Sequence, residues 1–286
     1  MPLSALALVI IAAFTHASWN LMAKKAADSR HFVWLYSAGT VVLWFPVILA
    51  VFLIARPVIG WPEAVALAGS AVLHTLYSMS LQRGYKVGDL SVVYPVARGT
   101  GPLVSFFGAM LVLGERPGWV AACGAFLVVA GVFLLAGGPA LFKPGAERRG
   151  LHWGVITGAL IACYTVWDGY AVKVLLLSPI LIDYFGNLLR LLILTPRALA
   201  DHPALLPEWR RYWRLALTVS VLGPLGYTLV LFAMQQAPVS HVAPARELSM
   251  MIGAWYGARL LDEGDLGRRV LAAAIIVAGV VCLALG

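Results

Sequence analysis

Charge is scarce in this sequence. Asp, Glu, Lys and Arg make up 12% of its 286 residues, against about 25% in an ordinary globular domain. Acids are the scarcer sign, 13 against 21 basic residues. The charges gather in short connections, and the longest of these, 197–214, has 18 residues. No segment is long enough to bury a soluble core.

Cysteine is nearly absent. Cys123, Cys163 and Cys282 lie in apolar runs, at spacings that fit neither a disulfide framework nor a metal site, and they read as small core residues. Histidines and carboxylates never cluster at metal-ligand spacing. No Ser/His/Asp or Cys/His arrangement suggests nucleophilic catalysis. Gly99-x-Gly101 follows no strand, so it is no nucleotide-binding turn. These absences argue against an enzyme and leave no cofactor to expect. The N-terminus has no basic n-region, so the run from Leu3 reads as a retained span and not a cleaved signal.

What is present is apolar sequence: 61% hydrophobic residues and a mean hydropathy of +0.87. About 20 apolar residues cross a bilayer. Ten such runs are found, at 3–23, 32–54, 62–83, 90–113, 118–137, 151–173, 179–196, 214–236, 239–261 and 268–286. Trp61, Trp119, Trp153, Trp209 and Trp213 fall at predicted ends, as interfacial tryptophans do. The net charge of +8 then belongs to loops beside the membrane, and no nucleic-acid partner is implied. Fifteen Lys and Arg fall on the side holding the odd-numbered connections and three on the other. By the positive-inside rule the odd side is cytoplasmic and both termini are outside.

An offset of 148 residues runs through the chain. It pairs Trp19-Asn20 with Trp167-Asp168, Lys25 with Lys173, Arg98 with Arg246, Glu115 with Glu263, and Val129-Ala130-Gly131-Val132 with Val277-Ala278-Gly279-Val280. The spacing predicts an all-α integral membrane protein: ten transmembrane helices as two five-helix repeats, 1–142 and 149–286. Five is odd, so the second copy enters from the opposite side and the repeats are inverted.

The paired arginines are the sharpest functional clue. Arg98 sits in Tyr94-Pro95-Val96-Ala97-Arg98-Gly99-Thr100-Gly101-Pro102, and Arg246 follows Ala243-Pro244-Ala245. A guanidinium keeps its proton, so within hydrocarbon it needs a cavity, a counter-charge or a ligand. The flanking prolines and glycines are expected to loosen both helices there. Each arginine lies about eight residues from its span's start, roughly 12 Å deep at 1.5 Å per residue, and inverted repeats would bring both toward the midplane.

The order and spacing of these features resemble the EamA branch of the drug/metabolite transporter superfamily over essentially the full length. The resemblance is carried by Trp19-Asn20 and Trp167-Asp168, by the Pro-containing starts of the fourth helix of each half, and by Leu113-Gly114-Glu115 with Asp262-Glu263. His16-Ala17-Ser18-Trp19-Asn20 and Arg98-Gly99-Thr100-Gly101-Pro102 further resemble membrane proteins linked to phosphonate utilisation. The family implies secondary transport of small metabolites by a multi-pass protein of the bacterial inner membrane. Its sugar-phosphate-translocating relatives hold phosphate with basic side chains on late helices, which favours Arg246 as a ligand.

Substrate contact is expected from Arg98, Arg246, His74, Tyr77, Asn20 and Tyr227, and proton coupling from Glu247 and Asp168. Each has a plainer reading. The arginines could close structural ion pairs with Asp168 and Glu247. Glu247 follows Arg246 directly and on a helix would point about 100° away from it, and Asp168 lies near enough to a helix end to be wet. His74, Tyr77, Ser78 and Leu81 share a helical face, but a buried histidine can simply be satisfied by a neighbour. Asp183, Asn187 and Arg190 form a similar stripe that reads as a self-contained ladder. Tyr227 and Gln235 could line a pore, and Gly131 and Gly279 read as close-packing positions.

The leading expectation is a secondary active transporter for a small anionic or zwitterionic metabolite bound between the halves. An intramembrane enzyme acting on a phosphate-bearing lipid is the alternative, but its base or nucleophile would have to lie near a membrane face. A channel would show rings of filter residues, and a passive channel or scaffold is the third reading. Substrate identity, direction, coupling ion and oligomeric state are left open.

Overall fold

The computed structural model describes residues 1–26, 28–87, 90–135, 137–138, 148–253 and 266–286. The first half holds α1 (Leu3–Lys25), α2 (Phe32–Ile54), α3 (Trp61–Val87), α4 (Leu90–Val112) and α5 (Trp119–Leu135). The second holds α6 (Arg148–Lys173), α7 (Pro179–Ala200), α8 (His202–Gln236), the short α9 (Val239–Ala245) and α10 (Leu266–Leu285), with a further helical stretch at 248–253. Among the described residues seven helical stretches are long and apolar enough to cross a membrane, and Val96–Val112 and Trp119–Leu135 are shorter apolar helices. A helix satisfies its own backbone in lipid. Its outward face needs no polar residue there, and Leu43, Phe45, Leu49 and Leu53 of α2 are all exposed.

Small residues set how closely the helices approach. A Cβ on Gly124 would come within 2.7 Å of the Gly279 carbonyl oxygen, and one on Gly279 within 2.7 Å of the Gly124 oxygen. Gly131 meets Ile276 in the same way, so α5 and α10 run antiparallel with backbones nearly touching. On the other side of the bundle Gly101 abuts Ile161 and Gly158 abuts Thr100, which draws α4 against α6. α1 packs on α8, where Gly226 makes room for the His16 ring. The chain ends meet at one end of the bundle, where the Met1 ammonium donates to the Ala284 carbonyl at 2.7 Å.

Four expectations need correction. The 197–214 connection is helical, because α7 runs to Ala200 and α8 starts at His202 and extends for 35 residues. Glu208 on this extension accepts from the backbone N–H groups of Arg30 and His31 and from the Ser29 hydroxyl, the last at 2.5 Å. It thus supplies acceptors for donors that the start of α2 cannot pair internally. Tyr212 and Ala216 pack with Phe32 and Leu35, so tertiary contact, not local hydropathy, orders the segment.

Second, α4 is continuous from Leu90 to Val112 and is not loosened at Arg98. Gly101 serves the close approach to α6. Third, the ninth span is not one continuous helix: α9 ends at Ala245 and a turn follows at 246–247, which is the loosening expected beside Arg246 and absent beside Arg98. Residues 254–261 of that span lie outside the described residues, as does Glu263. Fourth, Cys123 and Cys163 are exposed and Cys282 is partly so. An apolar surroundings suits a small thiol as well as a core does.

Candidate functional site

The break after α9 builds the site. Pro244 occupies the last turn of α9, and the Glu247 N–H bonds to the Pro244 carbonyl at 3.0 Å, a tighter turn than an α-helix makes. In this turn Arg246 and Glu247 converge. Glu247 Oε1 lies 3.2 Å from Arg98 Nη1 and 3.6 Å from Arg246 Nε. The expectation that Glu247 points away from Arg246 is therefore overturned, because it assumed an uninterrupted helix. Glu247 is fully buried, and Arg246 is 6% exposed. Among the described residues, Arg246 Nε and Nη2 and Glu247 Oε2 have no hydrogen-bond partner.

A second cluster stands beside this one. His74 Nε2 of α3 lies 2.9 Å from Asp168 Oδ2 of α6, and the Tyr227 hydroxyl of α8 donates to the same oxygen. His74 Nε2 is also 3.3 Å from the Tyr227 hydroxyl. Asp168 is not wet: it is completely buried, and its Oδ1 is without a partner among the described residues. His74 of α3 and Tyr227 of α8 cover it although the residue is near its helix end.

Tyr164 joins the clusters. Its ring stacks on His74 with centroids 4.1 Å apart, Tyr77 meets it edge-on at 5.4 Å, and the Arg246 guanidinium lies 5.8 Å over it. A cation over a ring face is attracted by the ring's quadrupole. Tyr164 is four residues before Asp168 on the same helical face, a signal the sequence carried but which gave it no role. His16 of α1 is a second unforeseen neighbour. Its Nδ1 is held at 2.9 Å by the Ala12 carbonyl, and it packs on Gly226, one residue before Tyr227.

The structure thus brings Arg98, Arg246, Glu247, Asp168, His74, Tyr77 and Tyr227 together across α3, α4, α6, α8 and the α9 break. No hydrogen bond ties Asn20 to them among the described residues; its amide donates at 2.7 Å to the His16 carbonyl of its own helix. Ser78 likewise bonds back to the His74 carbonyl, and Gln235 is exposed. The 148-residue pairing of Glu115 and Lys173 with other positions has a local meaning too. Glu115 accepts from the N–H groups of Val239 and Ser240 at 2.7 and 2.9 Å, and Lys173 lies 3.5 Å from it. Glu115 therefore anchors the first turn of the broken helix that carries Arg246. Among the described residues no group of His, Cys, Asp and Glu could hold a metal ion.

Residues 3–137 match the EamA-like transporter family. No curated protein matches the chain. Among solved structures, 29 chains match. One of them, described as "Crystal structure of protein", aligns over 99% of this chain and 98% of its own, with a TM-score of 0.72 and 17% sequence identity. At that identity the likeness is one of fold.

Proposed function

From the match of residues 3–137 to the EamA-like transporter family, we propose a secondary active transporter that moves a small anionic or zwitterionic metabolite by alternating access. The family is one of transporters in membranes, and a small-molecule cargo follows from it. The finer reading rests on one observation. Two arginines share one buried carboxylate, and two nitrogens of Arg246 have no hydrogen-bond partner among the described residues. Placing a charge at the centre of a bilayer costs about 2.5–3.5 kcal/mol on the lenient scale. An anionic group on the cargo would offset this, and the guanidinium fork suits a carboxylate or phosphonate.

Beyond the Tyr164 ring, Asp168 and the tyrosines offer a place for a cationic or hydroxylated remainder, so a zwitterion fits as well as a simple anion. Glu247 and Asp168 are the coupling groups in this reading. A proton on Glu247 would free both guanidiniums for cargo, and loss of that proton would return them to it.

Halves 1–142 and 149–286 related by inversion are supported by the packing. α1 lies on α8 while α6 lies on α3, α2 packs on α7, and α5 packs on α10. Exchanging the halves swaps the first two of these pairs and returns each of the other two to itself. A bacterial inner membrane is the setting this reading assumes. The deciding experiment is transport into proteoliposomes across small phosphonates, carboxylates, amino acids and quaternary amines, with and without a pH gradient. Accumulation of an acid-bearing solute that is abolished by Arg246→Ala is expected. Transport of the quaternary amines alone would sink the proposal.

A further inference from the structure

The α7 stripe has no part in the transport reading as stated, yet it faces the site. Asn187 Nδ2 donates to Asp183 Oδ2 at 3.1 Å, and Arg190 Nη1 donates at 3.3 Å to both Asn187 Oδ1 and the Tyr36 hydroxyl. Asn187 therefore stands between acid and base, and no direct hydrogen bond or ion pair joins Asp183 to Arg190 among the described residues. An acid held this way in an apolar region lacks a contacting counter-charge, and a proton is the simplest way to neutralise it.

Asp183 lines a small cavity with Asn187, Arg190, His74 and Tyr227, and Gly186 leaves part of its wall without a side chain. The space is about 20 Å³, enough for one water, and its polar lining offers the two to four partners that a buried water takes. On the far side of Tyr227 and His74 lies Asp168 Oδ2, which both of them contact.

We propose that Asp183 is a second proton-carrying carboxylate of the site, exchanging its proton with Asp168 through one water and the Tyr227 hydroxyl. The inference rests on the proton-coupled reading above. In the forward step Asp183 gives its proton to the water, and the water passes one of its own to the Tyr227 oxygen. The Tyr227 hydroxyl proton moves to Asp168 Oδ2. One proton has moved, Asp183 is a carboxylate, Asp168 is a carboxylic acid, and water and tyrosine are restored. Among the described residues, the titratable and charged groups that share the cavity with Asp183 are His74 of α3, Tyr227 of α8 and Arg190 of α7, and Tyr36 of α2 is held on Arg190. Two carboxyls so linked titrate as a pair and not singly.

The test needs no cargo. Infrared titration of the protein, with carbon-13-labelled aspartate, in phosphatidylcholine nanodiscs reads protonated buried carboxyls directly. In Asp183→Asn one such signal should disappear, and the midpoint of the Asp168 signal should shift by about one pH unit or more, the scale of a coupled pair. Asp183→Glu, prepared with both aspartate and glutamate labelled, should keep both signals with a moved midpoint, which covers the case in which the asparagine protein does not fold. Tyr227→Phe should leave both signals but slow proton exchange between them at least tenfold after a pH jump. An Asp168 midpoint unchanged in both Asp183 variants overturns the inference, as does exchange of normal speed in Tyr227→Phe. These outcomes are independent of transport. A proton-coupled carrier with an unaltered titration defeats the relay alone, and a coupled titration without transport defeats the carrier reading alone.

Discussion

The Glu247 carboxylate lies 3.2 Å from the Arg98 guanidinium across 149 residues of sequence, and the same oxygen lies 3.6 Å from Arg246. One acid thus bridges two arginines from different halves, at a point where a helix has been broken to let it do so. Neutralising Glu247 leaves two like charges in a buried region. Glu247→Gln is expected to reach the membrane in near-normal amounts but to lose pH-driven accumulation of cargo. The measurement is uptake into proteoliposomes with and without an imposed gradient; concentrative uptake that still responds to pH would exclude Glu247 as the coupling acid.

Arg98→Lys keeps the charge but replaces a planar fork with a compact ammonium. Affinity for an acid-bearing cargo is expected to fall about tenfold, which corresponds to roughly 1.4 kcal/mol, and Arg246→Ala should fall further. Competition binding with the solute panel reads this. Unchanged affinity in both proteins would make the arginines architectural.

The α5–α10 contact leaves no room for a side chain. A Cβ on Gly279 sits 2.7 Å from the Gly124 oxygen and 2.8 Å from the Val128 nitrogen, both backbone atoms that cannot swing aside. Gly279→Val should destabilise the protein by about 1–3 kcal/mol, the usual range for overpacking. Thermal unfolding in detergent measures it, with Gly118→Val as the control, because nothing lies within 4 Å of a Cβ there.

The extension of α8 is expected to matter through Glu208, whose oxygens accept from Ser29, Arg30 and His31. Glu208→Ala should cost about 0.5–2 kcal/mol, as loss of a helix N-cap does. Nearby, the hydrogen bond from His31 holds the Asp201 carboxyl below its ordinary value of 3.8. That group's contribution is therefore present above the ordinary value and is lost as pH falls through the lowered one. Unfolding followed from about pH 5 down to about pH 2 (roughly the range over which a carboxylate with a lowered pKa loses its contribution) should show Asp201→Asn converging on the parent protein at the acid end.

Both chain ends lie at one end of the bundle, and the sequence puts fifteen Lys and Arg on the side opposite the termini and three on the same side. A reporter fused to the C-terminus and active only in the cytoplasm should stay silent, by the positive-inside rule. Strong activity would reverse the assignment.

The sequence by itself determined the class, the approximate spans of most helices and the identity of the charged residues within them. Those properties follow from local hydropathy over about 20 residues and from the cost of burying charge, and both are legible one residue at a time. It also held the 148-residue ladder and the close-packing role of Gly131 and Gly279. Tertiary structure alone decided what these residues meet. Glu247 turns toward Arg246 because the regular 100° advance fails at the 246–247 turn, and Tyr164 gains a role only where His74 and Arg246 arrive from other helices, since an aromatic in an apolar helix carries no signal by itself. The 197–214 segment looked like a loop because its order comes from Phe32, Leu35 and the start of α2, which are distant in sequence. Asp183 became part of the site only when α7 closed on α3 and α8. Depth in a membrane is a property of the chain; partnership between helices is a property of packing, and no single stretch of sequence encodes it.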